Sequence, residues 1–205
     1  MARSDKLETY RSKRDFRKTP EPRGSTSGSS AGAPRFVIHE HDASSHHFDL
    51  RLEIGGALAS WAVPKGPSTD PGDKRLAVRT EDHPLEYADF EGVIPEDEYG
   101  AGTVVVWDAG TFGNLKTDDD DREIPLEECL DDGHVVVWLE GKKLRGGYSL
   151  VHAKPGGDEN AWLLVKKDDD VADARRKPVK TEPESVISGR TINEVAEEES
   201  GKDDG

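Results

Sequence analysis

The amino-acid sequence predicts a mainly β protein: a compact antiparallel β-barrel with a few short helices and a basic N-terminal arm. Between residues 35 and 167, short apolar or alternating stretches are separated at close intervals by Gly, Pro and Asp, a spacing typical of all-β barrels and sandwiches. Residues 47–54 alternate strictly between polar and apolar side chains, the period of a strand with one buried face. A chain of 205 residues has room for one ordinary domain plus tails.

The first 34 residues differ in composition from the predicted barrel. Residues 5–18 are rich in basic side chains and predict a short helix, which the sequence Thr-Pro-Glu-Pro at 19–22 ends. Residues 24–34 are rich in Gly and Ser and predict a flexible linker. Composition alone therefore predicts that residues 1–34 are a basic arm and linker without a fixed structure of their own.

The first two predicted strands form a hairpin. The segments 35–41 and 47–54 are joined by the short polar turn 42–45. Residues two apart in a strand point to the same side, about 7 Å from one another. The hairpin therefore presents one mostly polar face, which contains Val37, His39 and His41 of the first strand and His47, Asp49 and Arg51 of the second.

This face has the composition of a metal site. The hairpin can bring His41 next to His47 and Asp49, and two imidazoles with one carboxylate suit Mn, Fe, Co or Zn better than Ca or Mg. Arg51, one step further along, would supply a permanent positive charge for an anion bound there. A solvated face of an antiparallel sheet alternates in the same way, so spacing alone leaves the two interpretations about equal. The density of histidines favours the metal site slightly.

The remaining barrel strands follow in order along the chain, each bounded by turn residues. We predict a turn at residues 108–110, with residues 111–112 beginning the return strand. In the strand after the turn at residues 70–74, Arg75 and Arg79 share one face and could line the same cavity as the histidines. The predicted strands are Ala57–Val63, Arg75–Thr80, Thr103–Trp107, Val135–Leu139, Gly147–His152 and Ala161–Lys166. Together with the hairpin they give a barrel domain of residues 35–167.

Residues 81–87 predict a loop or a single helical turn. Pro84 favours an extended conformation at His83, and a helical turn after it would place His83 and Tyr87 on one face. A lone loop histidine is usually an ordinary surface residue, so His83 becomes a candidate only if it lies beside the hairpin. The chain has no phosphate-binding loop motif, and the acidic run 118–121 lacks the spacing of a calcium loop.

After Lys167 the sequence turns polar, with alternating acidic and basic blocks. Few large apolar residues occur before Ile187, which predicts disorder over that stretch. Thr191 and Glu194 have the spacing of a capping box and predict a helix from Ile192 to Glu199. Residues 168–205 are thus predicted to be a polar tail with a short terminal helix.

Overall composition limits the function classes. The formal net charge of −15 counts against nucleic-acid binding, although basic residues that converge on one groove could still bind a polyanion. The single cysteine, Cys129, excludes intrachain disulfides and cysteine-based metal sites. There is no apolar run long enough to span a bilayer and no signal-peptide pattern, so we expect a soluble cytoplasmic protein.

Several segments, matching in order, resemble one family. They are YRSKRDFRKTPEP, FVIHEHDASSHHFDLRLE, SWAVPKGPS and KRLAVRTEDHPLEYADFEGVIPEDEYGAGTVVVWD. Over roughly residues 6–167 the chain resembles the 3′-phosphoesterase module of LigD, the non-homologous end-joining DNA ligase of bacteria and archaea. This resemblance favours the metal site over the solvated face.

The resemblance also implies roles for individual residues. The family's Mn²⁺ ligands correspond to His41, His47 and Asp49, although Co²⁺ or another divalent transition metal would also suit them. Its catalytic phosphate-handling residues correspond to Arg51, His83 and Tyr87. Its substrate-binding residues correspond to Arg14, Asp15, Glu21, His39, Lys65 and Arg75, which implies that the N-terminal arm closes over the active site. The family often has Gln at the position of His39, so this residue could change a polar contact or bring a fourth imidazole to the metal.

The activity that the resemblance implies is healing of DNA 3′ ends in repair. A Mn²⁺-dependent phosphodiesterase step would remove a terminal ribonucleoside and a phosphomonoesterase step would leave a 3′-OH. The implied partners are a primer-template with a 3′-ribonucleotide or 3′-phosphate end, a DNA ligase and other end-joining proteins. Two alternatives remain open. One is a cupin-like metal oxygenase, suggested by His39-x-His41 but lacking the well-spaced Glu and later His; the other is a non-catalytic module that binds DNA ends or a ligase.

Overall fold

A closed antiparallel β-barrel of eight strands forms the body of the protein. The structure is a computed structural model and describes residues 5–24, 32–153 and 158–200. The strands are β1 (Arg35–Asp42), β2 (His46–Ile54), β3 (Ala57–Val63), β4 (Lys74–Arg79), β5 (Gly92–Ile94), β6 (Gly102–Asn114), β7 (His134–Gly141), β8 (Arg145–His152) and β9 (Ala161–Lys166). Their order is β1-β2-β3-β4-β9-β8-β7-β6, and β1 pairs with β6 to close the barrel. The predicted fold class is confirmed.

The strands have one face inside the barrel and one face outside. Every second residue of β2 faces the interior, where Phe48, Leu50, Leu52 and Ile54 join the main apolar cluster together with Trp61. A smaller apolar cluster covers the outer wall and is formed by Tyr10, Val37, Leu58, Tyr87, Ala88 and Val106. Because Val37 belongs to this outer cluster, the alternating histidines of β1 and their β2 partners also lie on the outer wall.

Strand β6 differs from the prediction. The predicted turn at residues 108–110 is wrong, because β6 continues through it as one strand of 13 residues. A β-bulge between Ile38 and His39 in the β1–β6 pairing accommodates the strand. Asp108 is fully buried, and its carboxylate accepts hydrogen bonds from the backbone N–H groups of Lys142, Lys143 and Leu144. In the sequence, an aspartate inside a strand that accepts hydrogen bonds from a distant turn therefore looks the same as an aspartate that forms a turn itself.

The helical elements are short and lie outside the barrel. They are α1 (Glu8–Ser12), a 3-10 helix (Leu85–Asp89), α2 (Leu126–Asp131), α3 (Pro178–Thr181) and α4 (Ile192–Ser200). Helix α1 covers only part of the predicted helix, and α2 was not predicted. The capping box of α4 is confirmed, since the backbone N–H of Thr191 donates to Glu194 at 2.7 Å. Among the described residues, no helix is long and apolar enough to cross a membrane.

The C-terminal segment packs against the barrel, which differs from the disorder predicted for it. The indole N–H of Trp107 donates to the carbonyl of Glu182 at 2.8 Å, and the backbone N–H of Val186 donates to Val106 at 2.9 Å. Val195 of α4 is buried. The segment is held largely through backbone groups and single apolar residues, which explains why its polar composition gave no signal. The boundaries 1–34, 35–167 and 168–205 stay predictions.

Candidate active site

Two histidines and an aspartate converge at the turn end of the first hairpin. His41 and His47 are direct partners in the β1–β2 register, and Asp49 lies opposite His39. The Nδ1 atom of His41 is 3.7 Å from Asp49 Oδ2, and the Nε2 atom of His47 is 3.6 Å from Asp49 Oδ1. One ligand atom from each of the three residues lies within 4.8 Å of the other two. The hairpin register therefore places these side chains as the alternation predicted.

The donor set fits a divalent transition metal. Asp49 is buried, which alone would raise the pKa of its carboxyl, but the charge of Arg51 and the interactions with His41 and His47 hold that pKa well below its usual value. Asp49 is therefore a carboxylate at neutral pH. The Nδ1 atom of His47 lies 2.7 Å from the Ser45 carbonyl, a contact that fixes Nδ1 as the protonated nitrogen and leaves Nε2 free as a ligand. The Nε2 atom of His41 is buried without a hydrogen-bond partner among the described residues.

Arg51 connects this metal-type cluster to the rest of the site. Its Nη2 donates to Asp49 at 3.1 Å and its Nε donates to Nδ1 of His39 at 3.2 Å. Its Nη1 donates to the hydroxyl of Ser60 at 2.9 Å and is directed at Nδ1 of His83, also at 2.9 Å, an atom that lies equally close to the carbonyl oxygen of Glu81. Four of the five N–H groups of the guanidinium thus point at groups of the site, leaving one Nη2 hydrogen for an incoming anion. A forked contact from Arg51 to phosphate would require one of these partners to be released.

His83 lies beside the hairpin because its backbone pairs with β3. The backbone N–H groups and carbonyls of His83 and Leu58 exchange hydrogen bonds of 2.8 and 2.9 Å. Besides Arg51, the guanidinium of Arg14 approaches the ring, with Nη2 at 3.4 Å from Nε2. Burial, then the charges of Arg51 and Arg14, lower the pKa of His83 well below its usual value of 6.5. The imidazole is therefore neutral at pH 7.

Tyr87 and His39 form the inner wall of the site. The 3-10 helix places the Tyr87 ring 4.8 Å from the His83 ring, confirming that the two share one face. Burial raises the pKa of Tyr87 well above its usual value of 10.0, so its phenol keeps its proton and can donate it to a hydrogen bond. His39 is fully buried, with a lowered pKa caused by burial and then by Arg51. It accepts a hydrogen bond from Arg51 and is not part of the metal-type cluster, which removes the pairing on which the cupin alternative depended.

The N-terminal arm forms the cover of the site. Tyr10 is fully buried, its hydroxyl donates to the Pro22 carbonyl at 2.6 Å, and its ring packs 5.0 Å from that of His83. The guanidinium of Arg14 lies 3.9 Å above the Tyr10 ring. Arg14 also forms buried ion pairs with Glu21 at 3.0 Å and with Glu81 at 3.2 Å. Residues 5–24 are therefore docked on the barrel, as the family resemblance implied.

Three predicted residues do not join this cluster. The carboxylate of Asp15 is bound by the exposed Arg17, which lowers the pKa of Asp15 to about 2. Lys65 and Arg75 line a separate cavity. Arg79 pairs with Trp61 in the β3–β4 register and so shares its interior face. Arg75 is two residues from Ala77 and four from Arg79, so it lies on that same interior face. It does not lie on the outer face that carries His39 and His41.

Sequence reasoning missed three side chains that complete the site. Ser60 pairs with Arg51 in the β2–β3 register and is fully buried, and Glu81 and Tyr10 fix Arg14. Ser60 offered one signal, since it is a polar residue in the otherwise apolar strand 57–63. Glu81 gave none, because its partner Arg14 is far away in the sequence. Tyr10, four residues before Arg14, was indicated only as a possible apolar anchor of the predicted helix at 5–18.

The fold and the site together define a β-barrel protein with a two-histidine, one-carboxylate candidate metal site on its outer wall, next to a buried arginine–histidine pair. Residues 39–152, more than half of the chain, match the family model of the DNA Ligase D 3′-phosphoesterase domain. The chain belongs to this family.

Curated relatives extend over most of the chain. The chain is 48% identical over 195 residues to the multifunctional non-homologous end joining protein LigD of Pseudomonas aeruginosa. The matched residues cover 94% of this chain and 22% of that protein. It is 44% identical over 160 residues to the LigD protein of Mycobacterium tuberculosis (78% of this chain, 19% of that protein). It is 46% identical over 154 residues to that of Mycolicibacterium smegmatis (74% and 20%). The chain thus spans about a fifth of the length of these relatives.

Proposed function

We propose that this protein is a metal-dependent phosphoesterase that heals DNA 3′ ends during repair by non-homologous end joining. It removes a terminal ribonucleoside to leave a 3′-phosphate, and then removes the phosphate to leave a 3′-OH for a DNA ligase, acting on DNA in the cytoplasm. One observation carries the proposal: the cluster of His41, His47 and Asp49 lies beside the buried pair of Arg51 and His83 in a member of the 3′-phosphoesterase family.

The proposed metal is Mn²⁺, held by His41, His47 and Asp49. Bound there, it would supply Lewis-acid stabilisation of phosphate oxygens and would lower the pKa of a bound water. Asp49 is well suited as a ligand because its contact with Arg51 keeps it ionised. With only these three protein ligands, such a metal would still be able to take further ligands.

Two guanidinium groups prepare the site for a phosphate. Arg51 is directed at the cluster by Asp49, and Arg14 is held over His83 by Glu21 and Glu81. These contacts orient the positive charges before substrate arrives, so little reorganisation is needed when negative charge develops on the phosphoryl oxygens. The pairing of Glu21 with Arg14 supports a role for Glu21 in positioning that arginine.

The pKa of His83 changes when a phosphate binds. In the protein alone, burial and two neighbouring cations keep its pKa low and the ring neutral. A phosphate between Arg51 and Arg14 offsets these positive charges and raises the pKa of His83 again. The ring can then hold a proton for the leaving oxygen, while the protonated phenol of Tyr87 donates a hydrogen bond to the phosphate.

The test is an end-healing assay on a 5′-labelled primer-template. One substrate ends in a single 3′-ribonucleotide and a second ends in a 3′-phosphate, and each is incubated with Mn²⁺ or with a chelator. The proposal expects ordered conversion of the first substrate to the 3′-phosphate and then to the 3′-OH, with no conversion in chelator. A ligase added afterwards should seal only the treated ends.

His83→Gln is the variant that separates binding from chemistry in this assay. It removes the group that can hold a proton but keeps a neutral hydrogen-bonding side chain, so we expect lower kcat in at least one step and little change in metal affinity. Equal conversion with and without chelator, or no conversion of either substrate with any divalent transition metal, would refute the proposed activity.

A further inference from the structure

A cavity separate from the candidate active site lies where the C-terminal segment meets the barrel. It has a volume of about 390 Å³, with Pro67 and Val179 among its walls. Gly66, beside it, has a positive φ of 68° and no room for a side chain, since a Cβ would lie 2.8 Å from Val179 and 2.9 Å from the Phe48 ring. Close packing of these two residues around Gly66 therefore brings α3 to the wall of the cavity.

Five cationic side chains line this cavity: Lys65, Arg75, Arg176, Lys177 and Lys180. Two of them have acidic partners, because Arg75 is paired with Asp73 at 2.8 Å and Arg176 with Glu182 at 2.8 Å. The ammonium groups of the three lysines are exposed and form no hydrogen bond or ion pair with any residue in the described ranges. The Nε atom of Arg75 is buried, also without a partner there.

This concentration of positive charge contrasts with the rest of the chain. A protein with a formal net charge of −15 repels polyanions over most of its surface. Cations that converge in a concave site focus the positive potential, and a flexible ammonium group is a common phosphate-binding group. An anion is therefore attracted electrostatically to this cavity, in contrast to the acidic surface of the rest of the protein.

The cavity lies close to the metal-type cluster but on a different surface. Val63 ends β3 as the partner of Phe48, the residue between His47 and Asp49, and Lys65 follows two residues later. The Cα atoms of Lys65 and His47 are thus less than about 17 Å apart, by the reach of these short chain segments. At about 3.4 Å per nucleotide along one strand, this is a span of about five nucleotides or fewer.

We propose that the cavity binds a backbone phosphate of the DNA whose 3′ end occupies the active site. Residues 176–180 of the C-terminal segment, whose sequence pattern indicates no function, thereby become part of the substrate-binding surface. This inference rests on the proposed function for the identity of the ligand, a nucleic-acid phosphate several nucleotides away from the reacting end.

The test measures DNA binding without cleavage. A fluorescent primer-template is titrated in chelator, over a series of NaCl concentrations, with the wild type and with Lys177→Gln/Lys180→Gln. We expect about tenfold weaker binding of the double variant near 50 mM salt and a log–log salt dependence shallower by about 0.9, because one neutralised phosphate contributes about 0.9 to the slope. Lys177→Arg/Lys180→Arg should restore both values.

The matched control is Lys74→Gln/Arg122→Gln, which removes the same charge. Lys74 precedes Arg75 in β4 but faces the other side of the strand, and Arg122 is exposed in the acidic loop. The inference is overturned if both double variants bind DNA equally, or if inorganic phosphate binds the cavity while DNA affinity is unaffected. Because binding in chelator needs no hydrolysis, a failed cleavage assay leaves this result independent of the proposed reaction.

Discussion

Adjacent histidines in β2 have opposite environments, because successive side chains of a strand point to opposite faces. His47 joins Asp49 in the metal-type cluster, whereas His46 is 46% exposed in its side chain and contacts Glu40 at 2.8 Å. We predict that His47→Ala lowers Mn²⁺ affinity by about 100-fold or more and abolishes both phosphoesterase steps. Isothermal titration and the Mn²⁺ electron paramagnetic resonance signal measure this loss.

His46→Ala is the control for this prediction, since it removes an imidazole one residue away. It should bind Mn²⁺ as the wild type does. Metal affinity that falls equally in the two variants, or in neither, would show that the cluster of His41, His47 and Asp49 is not the metal site.

His39 acts as an acceptor for Arg51, a role that an amide oxygen at the same position could also fill. The carbonyl oxygen of Gln can accept the Nε–H of Arg51 as Nδ1 of His39 does. We predict that His39→Gln keeps kcat/KM within about threefold, whereas His39→Leu, which leaves that buried donor unpaired, costs about 1–3 kcal/mol of stability. Steady-state kinetics and urea unfolding of both variants measure the difference. Equal loss in Gln and Leu variants would contradict an acceptor role.

The depressed pKa of His83 makes the folded protein sensitive to acid. Burial and the charges of Arg51 and Arg14 keep this pKa well below 6.5, while the unfolded chain regains a value near 6.5. Below pH 6.5 the unfolded chain therefore binds a proton that the folded protein does not, and the free energy of unfolding falls by up to about 1.4 kcal/mol per pH unit. We predict that His83→Gln shows a shallower fall between pH 6.5 and 5.

Metal-free urea unfolding at several pH values measures this slope. His39 and His47 titrate in both proteins, so their contributions cancel in the comparison and the difference isolates His83. Parallel pH profiles for the wild type and His83→Gln would show that the His83 ring is protonated in the folded protein.

At the scale of elements, the N-terminal arm is held by a charge network that no local sequence pattern indicates. The side chains of Arg14, Glu21 and Glu81 are 3%, 0% and 6% exposed, so removing the arginine leaves Glu21 buried without an ion-pair partner and Glu81 paired with Lys13 alone. We predict that Arg14→Ala lowers the free energy of unfolding by about 3–5 kcal/mol and makes the arm sensitive to trypsin. Urea unfolding and timed proteolysis measure the two effects.

Arg17→Ala serves as the control. Arg17 is three residues further along the arm and pairs with Asp15, but its side chain is 89% exposed. An exposed pair contributes about 0–1 kcal/mol, so this variant should be close to the wild type. An equally mild effect at Arg14 would mean that the arm does not depend on the buried network.

Local sequence patterns predicted the strands that show them. They failed for residues whose position depends on a partner far away in the sequence. The alternation in β2 located the site because one face of the strand meets the interior and the other meets the outer wall. Residues 57–63 and 161–166 were predicted with the correct bounds because each is an apolar run bounded by turn or polar residues. Asp108 was assigned to a turn because its three backbone donors lie more than thirty residues away. His83 could not be assigned from spacing, since its backbone pairing with Leu58 places it at the site.

At the scale of the whole molecule, closure of the barrel connects features that are separate in the sequence. The pairing of β1 with β6 places the outer apolar cluster between the first hairpin and the arm, so the site acquires a wall and a cover. The cationic cavity likewise combines residues 65 and 75 with residues 176–180. No sequence window contains either combination, and only the family resemblance indicated the arm before the fold was known.

The excess of acidic side chains gives the molecule opposite responses to salt in stability and in DNA binding. With a net charge of −15 and a radius of gyration of about 17 Å, repulsion acts across the whole fold at 10 mM salt, where the Debye length is about 30 Å. Near 0.15 M salt the Debye length falls to about 8 Å. We predict that raising NaCl over this range increases the metal-free Tm by a few degrees, about 1–2 kcal/mol, while DNA affinity decreases.

Repeating the thermal unfolding near pH 5 provides the control for this last prediction. The pI is about 4.9, so the folded protein then carries almost no net charge and has no global repulsion for salt to screen. The rise in Tm with NaCl should disappear there, because salt then acts mainly by weakening surface ion pairs such as Lys18–Asp97. A rise of equal size at pH 5 and pH 7.5 would instead indicate that salt strengthens apolar burial and that the acidic surface does not limit stability.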